Sequence, residues 1–133
     1  MKKIKSIIWE GKVLAHIIKA GDFPDKTSFF SEESDNLQVG CIVYPDNTQI
    51  PKHLHKPVIR NLDRTEEVLV VREGEAILDL YNQNKDKISS VKVTSGDVII
   101  LTGGGHGLRV IKKTKLLEIK QGPYFGVDEK ERF

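Results

Sequence analysis

Short apolar segments alternate with clusters of turn-forming residues along the whole chain. Val, Ile, Leu, Tyr and Phe gather between the punctuation marks EGK, AGDFPD, YPDN, EGE, NQNKDK, SGD, GGGHG and QGPY. Such spacing is the pattern of a sandwich or barrel of many short strands. It predicts strands at about 4–9, 12–18, 37–44, 48–55, 66–72, 75–82, 88–94, 97–102, 107–112 and 115–120. No window carries a capped apolar recurrence at i, i+3, i+4 and i+7, so the fold class is all-β. In EAILDLY, Ala76, Leu78 and Leu80 alternate with polar neighbours, as on a sheet with one wetter face. VLVV at 68–71 is apolar on both faces and needs a cover on its outer side, from the amino-terminal strands or from a second subunit.

At 133 residues the chain is expected to form one domain, 1–133, with a core that needs no disulfide or structural metal. Lys and Arg number 21 against 19 Asp and Glu, too even a balance to point to nucleic acid. The basic runs MKKIK and IKKTK read as solvated surface. A lone cysteine, Cys41, rules out an intrachain disulfide, and its apolar setting VGCIVY makes it a small core residue rather than a nucleophile. Aliphatic runs stop at four residues, VLVV and VIIL, far below a membrane span, and SIIW is broken at once by Glu10, Gly11 and Lys12. The expected setting is the cytoplasm.

Chemistry concentrates in PKHLHKP. On a strand, residues two apart share a face, so His53 and His55 point together with Leu54 opposite. Glu67 opens a later strand, and His106 follows the glycines of GGGHG. Three imidazoles and a carboxylate on neighbouring strands form a donor set suited to manganese, iron, cobalt, nickel or zinc. Arg60, Arg64 and Lys52 flank the histidine pair and are candidates for gripping an anionic ligand. Two exposed imidazoles on a surface strand are the plainer alternative.

These residues resemble a cupin. Glu67 and Gly74 enclose six residues, as in that family's first motif, and GDVIILTGGGH from Gly96 to His106 resembles the second. Asn47 stands where the first motif has a glycine, eleven residues separate His55 from Glu67, and Leu101 and Val110 replace the second motif's proline and asparagine. The resemblance implies a double-stranded β-helix, or jelly-roll, barrel over about 37–120 with extra amino-terminal strands, walls from Ile42, Leu69, Val71 and Ile99, and one divalent metal on His53, His55, Glu67 and His106. By the same resemblance a homodimer is expected. The ending LLEIKQGPYFGVDEKERF and the strand TEEVL are similar to small single-domain cupins encoded among bacterial surface-polysaccharide genes. The expected function is binding of, or reaction on, a small anionic sugar or sugar nucleotide through the metal. The alternatives are a non-enzymatic metal- or metabolite-binding module and an iron-dependent dioxygenase. No general base is evident for the metal-dependent isomerase or epimerase, and the oxygenase needs the same ligands, so sequence does not separate the two.

Overall fold

A computed structural model describes residues 4–126 and 129–133; most of the basic MKKIK run lies outside them. The chain is almost entirely strand, turn and extended coil. Strands β1 (Lys5–Trp9), β2 (Lys12–Ile18), β3 (Ser28–Phe29), β4 (Gly40–Cys41), β5 (Glu67–Tyr81), β6 (Lys87–Thr94), β7 (Val98–Leu101) and β8 (Gly105–Lys120) follow in order, with one 3-10 turn at Ala20–Asp22. No helix among the described residues is long and apolar enough to cross a membrane.

Six strands form one antiparallel sheet in the order β1-β2-β7-β5-β6, with β8 on the other edge of β5. The first half of β5 pairs with β7, from Glu67↔Leu101 to Val70↔Val98, and its second half with β6, from Glu75↔Thr94 to Tyr81↔Lys87. β8 runs antiparallel to both halves, from Glu67↔Lys120 to Tyr81↔Gly105. Between the halves the β5–β8 ladder slips repeatedly, between Val71 and Ala76. Gly74 sits there with φ 101°, and a Cβ on it would collide with the Lys113 carbonyl. Only glycine combines that left-handed backbone with so close an approach. The EGE turn signal is therefore a kink inside one long strand, and the predicted pair 66–72 and 75–82 is continuous.

The kink decides where the core lies. A straight strand would hold Glu67 and Leu80 about 43 Å apart, at roughly 3.3 Å per residue. Instead the ribbon doubles over, and Leu69 and Val71 share one apolar cluster with Ala76, Leu78 and Leu80, completed by Ile17, Val93 and Ile99. A second cluster on the opposite face joins Ile18, Ile100 and Cys41, with Phe30, Val39 and Val68 packed against it. Residues 28–41 thus cover part of the outer side of VLVV. His16 lies on this face, 5 % exposed, its Nδ1 2.8 Å from Ser6 Oγ and its ring edge-on to Phe30 at 5.2 Å. Burial lowers the His16 pKa, against the pull of Asp35, Glu32 and Glu66.

The expected jelly-roll barrel is not formed. The structure is two open antiparallel sheets, the six-stranded one and the β3–β4 pair. Closure fails at the strands predicted for 37–44 and 48–55. Of these only Gly40–Cys41 pairs, with Phe29 and Ser28, and residues 44–65 are exposed with no helix or strand. Pro45, Pro51 and Pro57 each withdraw a backbone donor from that segment.

Candidate functional site

The doubled-over ribbon creates a cleft at the place where its two ends meet. Leu80 pairs with His106 at one end and Glu67 pairs with Lys120 at the other, so the same register that zips β5 to β8 sends His106, Glu67 and Lys120 to one side. His106 Nε2 lies 3.2 Å from Glu67 Oε2, and Lys120 Nζ 4.0 Å from Glu67 Oε1. The residues in contact are thirteen apart along β5 and its ladder, a proximity that exists only because of the fold at Gly74. Gly104, at φ 64°, takes the chain from β7 into β8 so close to the Tyr81 carbonyl that any Cβ would strike it. That turn carries His106 to the cleft.

The cleft has a volume of about 580 Å³ and is lined by Glu67, Tyr81, His106 and Lys120, by the glycine turn, and by residues 129–133 across its mouth. Phe133 packs edge-on against Tyr81 at 5.1 Å, and Lys85 Nζ meets Glu131 at 2.6 Å. Glu67 is 8 % exposed. The hydrogen bond from His106 holds its carboxyl below the ordinary value; burial opposes this, and the His106 charge, Glu118 and Lys120 add to it. With Nε2 directed at the carboxylate, the imidazole keeps Nδ1 for a ligand, an arrangement that orients a proton-transfer group. Lys120 supplies a positive charge beside it, and Lys130 and Arg132 line the same mouth.

The sequence-predicted residues divide into two groups. Glu67 and His106 meet. His53 and His55 are on the exposed segment, with ring centroids 5.4 Å apart and edge-on, and neither lines the cleft. Among the described residues no group of three or more His, Cys, Asp or Glu can hold a metal ion. The expected manganese, iron, cobalt, nickel or zinc centre on His53, His55, Glu67 and His106 is therefore corrected, and with it the metal-dependent and iron-dioxygenase readings. The donors do not converge because the histidine segment pairs with no strand. Lys52 is also on that segment. Arg60 lines a separate depression with Glu33, Asp35 and Asn36. Arg64 is engaged in the fold: it bonds Glu66 at 2.8 Å, Asp63 at 3.1 Å, Asp35 at 3.3 Å and the Thr102 carbonyl at 3.1 Å. Neither Lys120 nor the 129–133 segment is a candidate site residue in the sequence reading, although both lie in the quoted ending LLEIKQGPYFGVDEKERF. The signal for Lys120 is the period of two in LEIK, which puts Glu118 and Lys120 on one face.

No family model matches the chain, and no curated protein or solved structure matches it. The likeness to cupins and to polysaccharide-locus proteins rests on the quoted motif residues alone.

Proposed function

We propose that the cleft between the ends of β5 and β8 binds a small anionic metabolite and that His106, oriented by Glu67, exchanges a proton with it. The observation that carries this reading is the 3.2 Å approach of His106 Nε2 to the buried Glu67 carboxylate inside a cavity of about 580 Å³. A carboxylate behind an imidazole fixes the ring's orientation during proton transfer. Lys120, beside the pair, attracts the negative charge of the ligand, and Tyr81 offers a hydroxyl and an apolar ring. The setting is a reducing compartment such as the cytoplasm, where the buried Cys41 thiol, its pKa raised by burial, stays free.

The test is a nuclear magnetic resonance screen of small carboxylates and phosphate esters, read on the His106 ring resonances. At least one compound is expected to shift them saturably, with affinity reduced about tenfold in Lys120→Ala through loss of one charge-assisted contact. Failure of every compound to perturb His106, or binding indifferent to Lys120→Ala, overturns the reading. Turnover of a bound compound, abolished in His106→Gln with binding retained, then separates catalysis from simple capture.

A further inference from the structure

Residues 44–65 are a run of exposed chain with no regular structure, yet they carry several large apolar side chains. Ile50, Leu54, Val58, Ile59 and Leu62 are all exposed, Ile59 at 93 %. The roots of the segment are fixed: Cys41 is buried at one end, and at the other Asn36 Nδ2 donates to Asp63 Oδ1 at 3.2 Å and to the Arg64 carbonyl at 2.5 Å. Elsewhere β8, sixteen residues long, pairs among the described residues only with β5, so its second edge presents backbone donors and acceptors with no strand beside them there. Val110, Ile111, Leu117 and Ile119 on β8 are exposed as well. Long apolar edges of this kind template strand addition unless covered.

We propose that the chain forms a symmetric homodimer in which the arm of each copy, residues 49–62, adds as an edge strand along β8 of the other.

Three observations identify a second copy as the occupant. First, donor and acceptor are both on this chain, so one exchange generates its own return partner and closes with twofold symmetry. Second, the lengths are comparable: between the turn in which Thr48 N donates to the Pro45 carbonyl and the anchored Asp63, the arm has fourteen residues against the sixteen of β8. Exchanging both arms engages about 20–30 residues on each side, the usual size of a stable interface. Third, the prolines are placed for an edge strand. In antiparallel pairing the N–H and C=O of one residue point to the same edge, and those of the next residue to the other. Pro51 and Pro57 have the same parity. Their missing donors therefore both fall on one edge, and Ile50, Lys52, Leu54 and Lys56 keep every donor on the opposite edge for β8. The inference is independent of the cleft reading.

Charge sets a further condition. The arm carries Lys52, Lys56 and Arg60, and β8 carries Lys113 together with Arg109, Lys112 and Lys115, which pair with Asp79, Glu75 and Glu73, so the excess charge on both sides is positive and apolar burial drives association. Sedimentation velocity of the full chain is expected to show a monomer–dimer equilibrium whose dissociation constant falls severalfold, on the order of threefold or more, as salt rises from low to physiological strength. Leu117→Glu/Ile119→Glu on β8 is expected to weaken the dimer about tenfold or more, and Lys56→Pro likewise, since it deletes a pairing donor. His55→Pro, on the solvent edge, is expected to leave it intact. These positions are exposed in the single chain, so the variants fold, as far-ultraviolet circular dichroism checks. A chain that stays monomeric at every concentration and salt, including one whose own β8 protects its arm from hydrogen exchange, overturns the proposal. So does a dimer indifferent to the β8 and Lys56 variants, or one equally sensitive to Lys56→Pro and His55→Pro.

Discussion

Two adjacent glutamates with opposite fates show how much depends on single positions. Glu66 faces the side covered by residues 28–41, where it is fully buried and its carboxylate accepts the Asn36 and Leu37 amides at 3.0 and 3.2 Å beside the Arg64 guanidinium. Glu67 faces the cleft. Glu66→Ala leaves two part-buried amides without their acceptor and takes one of its partners from the Arg64 guanidinium, and is expected to cost about 2 kcal/mol, read as a drop in the urea midpoint. Glu67 acts instead through pH. Its folded pKa is below its unfolded one, so its contribution is complete above about pH 4.5 and is lost as pH falls through the folded value. Glu67→Gln is expected to flatten the acid limb of a stability profile measured from pH 6 to pH 3. That Glu66 and Glu67 take opposite faces is legible in sequence, because strand parity needs no knowledge of the partner. The same parity at His53 and His55 tells only that they share a face, and the face has nothing opposite it.

Among the elements, β5 and β8 do most to shape the molecule, since their common kink converts a long ribbon into two stacked halves with a cleft between the ends. Gly74→Ala forces a side chain into the Lys113 carbonyl at a backbone angle that L-residues avoid. It is expected to cost at least about 2 kcal/mol in thermal or urea unfolding and to shift the His106 resonances, because Glu67 and His106 meet only through that bend. Sequence reading locates β1, β2, β6 and β7 closely, since each is a short apolar run between turns. It divides β5 and β8 in two: in β5 because a glycine between charged residues does not tell whether pairing resumes beyond it, and in β8 because the polar run KKTK interrupts the apolar pattern. β3, only Ser28–Phe29, carries no periodicity to detect. Strands at 37–44 and 48–55 are overcalled for the converse reason: their alternation is genuine, but a strand also requires a neighbour to bond.

For the whole molecule, the difference between an open sheet and a closed barrel rests on where residues 44–65 lie, and composition is silent on that. The edge of β8 and the arm are complementary within one sequence, which makes association the scale at which the remaining apolar surface is accounted for. The exposed arm also bears accessible cleavage points. Trypsin should cut first after Lys52 and Arg60, sparing Lys56 because Pro57 follows it, and the two large pieces should remain together because β2 on one is zipped to β7 on the other. If arms are exchanged between copies, nicking slows as the protein is concentrated, so a protease clock reads how often each arm lets go.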